Sequence, residues 1–558
     1  MRKRYYAMWA TTAAVIAFAP ATTEAATFTD LTHNTHAEAI QQLVQQGIIS
    51  GYADGTFRPE QTLTRSDAVK MIGKWLVALG YDLPQDANTK ARFTDVAVND
   101  QNDLVQYAAL LYDYGIFLGA DGELKPHEKM TRENMALILT RAYDEIYGVH
   151  TIRQLEKQEV TSGITDLLLA KEEAHLPLQL LSYLEITNQS QFKPKQAITR
   201  GQFASFVARS QIIDMTKLTT TEVVAGSIFG DSDGALRTAQ FRTPTAITTL
   251  ADGSLAISDK NNQKIKIIKE GNVSTYAGTT IDWDDYGMPK GGLINGKVEQ
   301  SLLQEPTAVT TGPNNEIWIA DTGNHAIRKI VNGELQTVAG NGIQGTADGA
   351  GEQARFYSPQ SIVVNKKGEA YVADTMNHVI RKIATDGTVT TINAPASRMT
   401  EWNLDILLVG SFRDGKITEA QFNAPMGLAL DEHDNLYVSD TGNHVIRYID
   451  FTNHTVKTVA GDPASITGQF IFEKGGNIDG KAIKARFNSP RGLYYDEAYG
   501  LLITDTSNGQ VRLLRNGQVH TIATKMKQPT SITKDKDAWY ITDAGDHQIK
   551  QFYYSEKE

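Results

Sequence analysis

The sequence predicts a multidomain chain: an all-α amino-terminal region followed by an all-β, six-bladed propeller. Two observations predict it. Apolar residues at helical spacing between 27 and 213 give way to short alternating runs with regular turn signals. The later region also repeats, since six units each open with a proline and carry an Asp 14 or 15 residues further on. A length of 558 residues is itself too great for one ordinary core.

Each repeat reads as four short strands, the last ending in TVAG or a close variant. The units open at Pro244, Pro306, Pro359, Pro425, Pro490 and Pro529. One unit cannot bury both of its faces, so six of them predict a radial propeller. The last unit stops after QIKQFYY, whereas an unpaired TEVVAG at 221–226 precedes the first unit. We expect this early strand to complete the sixth blade and to close the ring without a covalent bond.

One turn recurs almost word for word, as ADTGNHAIRKI (320–330), ADTMNHVIRKI (373–383) and SDTGNHVIRYI (439–449). A catalytic constellation is needed only once, and this one decays to TSNGQVR at 506–512. Asp and Asn bond their own backbone in tight turns, and Gly supplies positive φ. We therefore expect structural turn roles, and no catalytic role, for Asp321, His325, Asp374, His378, Asp440 and His444.

A second repeated turn stands 11 residues before five of the prolines, at Asp233, Asn295, Asp348, Asp414 and Asp479, each followed by Gly. Carboxylate and carbonyl oxygens suit calcium, but the spacing lacks the acidic density of an EF-hand loop. A plain turn between blades is therefore favoured, and the sequence predicts no metal or other cofactor, with calcium as the open alternative.

These repeats resemble the NHL family, named for its Asn-His-Leu signature, with NHAI and NHVI at that place; the resemblance implies a propeller over 218–558. Some related propellers are lyases or hydrolases with a metal in the central channel. The residues after the six prolines are Thr245, Thr307, Gln360, Met426, Arg491 and Thr530. None is a carboxylate or His, which disfavours such a metal enzyme without removing it as the alternative. The propeller's ligand stays open between protein, peptide and glycan.

Three helices are predicted to begin with Thr-Arg, in LTRSD, MTREN and ITRGQ, which places Arg65, Arg132 and Arg200 in first turns. Thr64 and Asp67 form a capping-box pattern. A cation there opposes the helix dipole by about 0.3–1 kcal/mol, so its threefold occurrence suggests a use. Free N–H groups at a helix start and an Arg fork together favour a carboxylate or phosphate. A surface Arg paired with a nearby carboxylate is the equal alternative.

FTDLTHNTHAEAIQQLVQQGIISGYADGTFRPEQTLTRSDAVKMI (28–72) resembles an S-layer homology module, and two degenerate copies follow. The predicted modules are 26–88, 89–155 and 156–214. The resemblance implies a three-pronged unit that binds pyruvylated secondary cell-wall polysaccharide. It also implies the polymer contacts, namely Arg65, Arg132, Arg200, Asp30, Asp95, Asp166 and Gly51.

Residues 1–25 read as a secretory signal peptide, with a basic start and a short apolar core at 8–19. No later run is apolar enough to span a bilayer, and no LPxTG-type sorting signal is found, so non-covalent retention is expected. A net charge of −11 disfavours nucleic acid as a partner, and the absence of Cys excludes thiolate chemistry. The sequence thus predicts a secreted, S-layer-associated protein of a bacterial cell wall that displays a ligand-binding propeller.

Overall fold

A computed structural model of the chain describes residues 28–98, 103–158, 160, 163–396, 398–402, 405–468, 472–536 and 538–554. The predicted signal peptide lies outside the described residues. The helices are α1 Ala37–Gln45, α2 Arg65–Ala78, α3 Leu104–Asp113, α4 Arg132–Tyr147, α5 Thr151–Glu156, α6 His175–Tyr183 and α7 Arg200–Ser210. Within the described ranges, no helix has the length and apolar character needed to cross a membrane.

The starts of α2, α4 and α7 fall at the three predicted arginines. The Thr64 hydroxyl accepts from the backbone N–H of Asp67, and the Asp67 side chain accepts from the Thr64 N–H, which completes a capping box. Thr199 and Gln202 form the second capping box, and Thr131 caps α4 by accepting from a backbone N–H. The predicted Thr-Arg helix starts are therefore confirmed.

The strands form six antiparallel blades, numbered here along the chain. They begin with β1 Glu222–Ala225, which precedes blade 1. Blade 1 is β2 Gly234–Ala235, β3 Pro244–Thr249, β4 Leu255–Asp259, β5 Lys264–Lys269 and β6 Asn272–Ala277. Blade 2 is β7 Gly296–Lys297, β8 Pro306–Thr311, β9 Ile317–Asp321, β10 Ala326–Val331 and β11 Glu334–Ala339. Blade 3 is β12 Pro359–Val364, β13 Ala370–Asp374, β14 Val379–Ile383 and β15 Val389–Thr391.

A separate hairpin, β16 Arg398–Trp402 with β17 Asp405–Val409, follows blade 3. Blade 4 is β18 Gly415–Lys416, β19 Pro425–Leu430, β20 Leu436–Asp440, β21 Val445–Asp450 and β22 Thr455–Ala460. Blade 5 is β23 Gly480–Lys481, β24 Pro490–Asp496, β25 Gly500–Asp505, β26 Gln510–Arg515 and β27 Gln518–Ala523. Blade 6 is β28 Pro529–Asp535, β29 Ala538–Asp543 and β30 Gln548–Tyr553.

The proline-led strand of every blade is the innermost one, and each contacts the inner strands of both neighbouring blades. The contact between β28 and β3 brings blade 6 beside blade 1, so the ring has six blades as predicted. Strand β1 lies antiparallel to β30, with Glu222 opposite Gln551 and Ala225 opposite Ile549.

Two features differ from the four-stranded repeat that the sequence predicts. Blades 1, 2, 4 and 5 carry a fifth, two-residue strand that pairs with their outer strand. Each of these strands begins at the glycine of an Asp-Gly or Asn-Gly turn, and Gly234, for example, takes a φ of 137° that brings the chain alongside the outer strand. The hairpin of β16 and β17 is the second difference, and no repeated sequence motif marks its position.

The helical region and the propeller share one hydrophobic core, which includes Tyr147 of α4 together with Trp539 and Phe552 of blade 6. Polar contacts tie the same surfaces together. The Tyr554 hydroxyl donates to the Tyr147 carbonyl at 2.8 Å, and the Gln154 amide donates to the Tyr553 carbonyl at 2.8 Å.

Candidate wall-polymer site and propeller channel

Arg65 and Arg200 each reach out of their own segment to a backbone carbonyl of another. Arg65 Nε donates to the Leu124 carbonyl at 2.6 Å, and its guanidinium lies 4.9 Å from the Phe117 ring centroid. Arg200 Nε donates to the Phe57 carbonyl at 2.9 Å and stacks over that ring at 4.4 Å. The first segment (26–88) thus contacts the second (89–155), and the third (156–214) contacts the first.

Arg132 completes the cycle, because it joins the second segment to the third. Its Nη2 donates to the Gln189 side chain at 2.8 Å, and its guanidinium stacks over Phe192 at 4.5 Å. The residue is only 4% exposed. Three arginines therefore occupy equivalent clefts between neighbouring segments, each lying over an aromatic ring.

None of these three guanidinium groups forms an ion pair with a carboxylate of the described residues. Desolvation by burial lowers the pKa of Arg65, Arg132 and Arg200, and more distant carboxylates oppose that shift only in part. A cation held this way is stabilised when an anion approaches it. The alternative of a surface Arg paired with a nearby carboxylate does not describe these residues.

The expectation that the helix starts offer free N–H groups to an anion is wrong. The Arg65 N–H donates to the Glu128 carbonyl at 2.8 Å, and the Arg132 and Arg200 N–H groups donate to the carbonyls of Gln196 and Gln61. The loop of the adjacent segment lies against each helix start and uses these donors. The guanidinium side chains are therefore what each cleft offers to an anion.

The three early aspartates are held by backbone rather than by the arginines. The Asp30 oxygens accept the N–H groups of Phe57 and Arg58 at 2.8 and 2.6 Å. Asp95 accepts two successive N–H groups starting at Leu124, and Asp166 accepts two starting at Phe192. Burial would raise the pKa of Asp30, but the two N–H groups hold it below its ordinary value. Each Asp thus positions the loop against which an arginine rests.

Gly51 lies next to the Arg200 cleft, since Arg200 Nη2 donates to the Ser50 carbonyl at 2.8 Å. A Cβ at Gly51 would overlap the ring of Phe28. Glycine therefore lets the chain approach the aromatic core closely enough to place the Ser50 carbonyl beside the guanidinium.

In the propeller, the repeated Asp connects three parts of its blade. Asp321 accepts the Gln304 backbone N–H at 2.7 Å, the Asn324 amide at 2.8 Å and the guanidinium of Arg328. Asp374 and Asp440 make the equivalent contacts in blades 3 and 4. The predicted turn residues thus lie in a buried polar network that is present in several blades.

The repeated His joins each blade to the next. His325, His378 and His444 have φ values of 50°, 58° and 57°, in the left-handed region. Their Nδ1 atoms accept backbone N–H groups from the following blade, at 3.2, 2.9 and 2.9 Å. Positive φ points each ring across the gap between blades.

Sequence reasoning missed the buried arginines seven residues after the Asp. These are Arg328, Arg381, Arg447 and Arg512, all with 0% exposed side chains. In each of them, one guanidinium nitrogen donates to the repeated turn Asp. Another donates to the side-chain oxygen of an Asp-Gly or Asn-Gly turn. Burial raises the pKa of Asp374 to about 6 although Arg381 opposes the shift. The recurring Arg in IRKI, IRKI, IRYI and VRLL was the available signal.

The carboxylates of the Asp-Gly turns bind groups of the protein itself. Asp348 pairs with Arg381 at 2.6 Å and also accepts the Thr391 N–H. Asp414 and Asp479 make the same two contacts in blades 4 and 5. This arrangement favours the plain turn over the ion site.

Asp431, Glu432 and His433 are the one group of three or more described residues whose potential metal ligands lie within 4.8 Å of one another. They are three consecutive residues of a partly exposed turn. Asp431 already accepts the backbone N–H groups of His433 and Asn435 and the Tyr448 hydroxyl. These contacts indicate that the cluster stabilises the turn, and they disfavour a metal site.

The inner strands surround a channel with a cavity of about 330 Å³. The residues after the six prolines all line it. Its described lining contains no Asp, Glu or His. That donor set does not fit the transition metal on which the channel enzyme alternative depends.

Comparison with known families identifies three stretches. Residues 27–69 match the S-layer homology domain, 303–330 match the NHL repeat, and 333–546 match the Teneurin NHL domain. The chain therefore contains one recognisable S-layer homology domain and an NHL-type propeller.

Curated relatives divide between the two regions. NHL repeat-containing protein 2 of Homo sapiens is 26% identical over 336 residues, covering 53% of this chain and 44% of the human protein. S-layer protein sap of Bacillus anthracis is 22% identical over 248 residues, covering 42% of this chain and 26% of that protein. The chain spans less than half the length of each. The domain and the S-layer relatives point to a bacterial cell surface or cell wall.

Solved structures resemble the propeller distantly. An auxiliary nutrient binding protein from Bacteroides thetaiotaomicron is 12% identical with a TM-score of 0.42, covering 61% of this chain and 77% of that one. A streptogramin B lyase is 14% identical with a TM-score of 0.38, covering 60% of this chain and 98% of that one. Neither likeness bears on activity.

Proposed function

We propose that this is a secreted bacterial surface protein, held without a covalent bond to pyruvylated secondary cell-wall polysaccharide by its helical region. The propeller then displays a second binding site outward. In this proposal the helical region consists of three S-layer homology modules, of which the second and third are degenerate in sequence. The strand β1 belongs functionally to the propeller, whose ring it closes.

The observation that carries the proposal is the set of three guanidinium groups without carboxylate partners among the described residues. Each is at least partly buried between two segments, with one or more donors satisfied by a carbonyl or amide oxygen. A ketal-linked pyruvate is a carboxylate on a sugar, and an arginine fork binds such a group through charge-assisted hydrogen bonds. The aromatic ring beneath each arginine fixes the plane of the fork.

The seven predicted contact residues take two different roles in this proposal. Arg65, Arg132 and Arg200 contact the polymer. Asp30, Asp95 and Asp166 position the loops that hold the arginines, and Gly51 makes room for one of those loops. The aspartates and histidines of the propeller turns are structural and bind no ligand.

Co-sedimentation of the full chain with purified wall sacculi tests the proposal. We expect Arg65→Ala and Arg200→Ala to weaken binding by about tenfold or more, the effect of losing one charge-assisted contact. Arg132→Ala should act in the same direction, with circular dichroism to verify folding because that residue is buried. Sacculi stripped of the polymer should retain none of the protein.

Two variants serve as matched controls. Lys129→Ala removes an exposed cation from the same region, and His444→Ala alters the propeller turn. Both should sediment like the wild type. Retention of Arg65→Ala at the wild-type level, or equal binding to stripped sacculi, would refute the proposal.

A further inference from the structure

The propeller channel contains a positive charge that has no partner among the described residues. Apart from Arg491, the only charged side chain in its described lining is Lys260, which pairs with Glu305 at 3.1 Å. The side chain of Arg491 forms neither an ion pair nor a hydrogen bond with the described residues, and its Nε atom is buried. Desolvation by burial lowers the pKa of Arg491.

Arg491 also breaks the repeat. The equivalent residue of the other blades is Thr245, Thr307, Gln360, Met426 or Thr530, all uncharged. A scaffold that needs a cation for stability repeats it and pairs it, as it does for the four buried arginines of the turns. A cation that occurs once, faces the channel and lacks a carboxylate is instead suited to a ligand.

The backbone at Arg491 is fixed. The Ser439 hydroxyl of blade 4 donates to the Arg491 carbonyl at 2.7 Å. A Cβ at Gly427 would overlap that carbonyl, so the glycine allows the inner strands of blades 4 and 5 to approach closely. The arginine thus extends from a rigid position, which lowers the cost of ordering it around a ligand.

An uncharged amide, that of Gln360, shares the same lining. The residues after the prolines occupy equivalent positions on inner strands that run in the same sense, so they lie at one end of the channel. The Gln360 side chain makes no hydrogen bond to the described residues, so its amide group is open to a ligand, whereas the Thr245 and Thr530 hydroxyls already contact the Pro306 carbonyl and the Thr542 side chain. A guanidinium and an uncharged amide in the same channel match a carboxylate attached to a polar body.

We propose that the propeller channel is a binding site for a carboxylate-bearing small molecule or chain end, with Arg491 as the residue that holds the carboxylate. The cavity volume suits a ligand of about one sugar or amino-acid residue. The proposal does not depend on wall anchoring, because every residue involved belongs to the propeller.

Isothermal titration calorimetry on the full chain tests this site with three probes: acetate, D-glucuronate and D-glucose. Acetate or glucuronate should saturate the wild type, and glucose, which lacks the carboxylate, should bind far more weakly. Glucuronate bound more tightly than acetate would indicate a sugar acid, and the reverse order a free small acid. Arg491→Gln should weaken binding of the carboxylate by about tenfold or more.

Arg413→Gln is the charge-matched control, since Arg413 is exposed and pairs with Glu419 outside the channel. It should bind like the wild type. A second measurement uses melting temperature without any probe, where Arg491→Gln should melt above the wild type because it removes an uncompensated charge. The proposal is overturned if no carboxylate saturates the wild type, if glucose binds equally, or if Arg491→Gln binds as tightly as the wild type.

Discussion

Arginine has two roles in this chain, and the partner of each guanidinium distinguishes them. The four turn arginines of the propeller are fully buried and paired with two oxygen groups each. Arg65, Arg132, Arg200 and Arg491 are at least partly buried without a carboxylate among the described residues. Burial alone therefore does not indicate function. A buried cation whose charge the protein neutralises is structural, and one that the protein leaves uncompensated is available to an anion.

The repeated His offers a residue-scale prediction. Replacing His444 by Gly, which blade 5 carries at the equivalent Gly509, should lower the free energy of unfolding by about 1–2 kcal/mol. It removes the hydrogen bonds of the His444 ring to the Ser489 N–H and to the Glu473 carbonyl while keeping a residue that tolerates positive φ. His444→Ala should cost about 1 kcal/mol more, because Ala is strained there.

Urea unfolding of the two variants measures this difference. Binding of sacculi should not change in either variant, since the ring lies between two blades. Wild-type stability in His444→Gly, or a loss of ligand binding with unchanged stability, would contradict the structural role.

At the scale of elements, the sequence predicted what depends on neighbouring residues in the chain. The Thr caps fix the starts of three helices, and the proline-to-Asp spacing marks the inner strands of all six blades. The ion pair between Asp440 and Arg447 could also have been predicted, since an Arg recurs seven residues after the Asp in several repeats. These features are local, so their signals lie within a few residues.

Other features depend on contacts between distant parts of the chain. Arg200 donates a hydrogen bond to the carbonyl of Phe57, which lies 143 residues earlier, and no pattern in either segment predicts this contact. The same holds for the carbonyls that use the helix-start N–H groups, which reversed the expectation of a free anion site there. The hairpin of β16 and β17 is a single insertion, so repetition could not reveal it.

Strand β1 provides the element-scale prediction. Replacing residues 222–225 by Gly-Ser-Gly-Ser should lower the stability of the propeller by about 2–3 kcal/mol, because β30 loses its outer partner and the buried Ala225 is removed. Calorimetric melting measures the change. The same replacement at 284–287, an insertion in the loop between blades 1 and 2, is the control and should have little effect. Equal melting of the two variants would mean that β1 does not close the ring.

For the whole molecule, the carboxy-terminal strand connects the regions. Strand β30 pairs with β1 on its outer edge. The backbone carbonyl of Tyr553 contacts Gln154 of α5, and the hydroxyl of Tyr554 contacts Tyr147 of α4. Asn516 of blade 5 adds a hydrogen bond to the Tyr81 hydroxyl at 2.8 Å. A shared apolar core and these bonds set the direction in which the channel faces relative to the three arginine clefts.

His520 of β27 lies in this junction, with its ring centroid 4.6 Å from that of Tyr147. Its Nε2 atom is buried without a partner in the described part of the chain. Burial lowers the pKa of His520 to about 4; nearby Asp479 opposes the shift and Arg512 adds to it. The unfolded chain therefore binds a proton more readily than the folded chain between about pH 6.5 and pH 4.

Because the folded-state pKa is the lower one, the stabilisation is complete above pH 6.5 and is lost as the pH falls through that window. At about 1.4 kcal/mol per pH unit, the loss by pH 4.5 is on the order of 2–3 kcal/mol. His520→Gln, which introduces the residue that blade 2 carries at Gln336, should lack this acid sensitivity. Calorimetric melting of both proteins at pH 7 and pH 4.5 measures the difference, in which the contributions of the common carboxylates cancel. Parallel pH profiles would show that the junction does not exclude the imidazolium, and would place the coupling of the two regions in the apolar core and the tyrosine contacts alone.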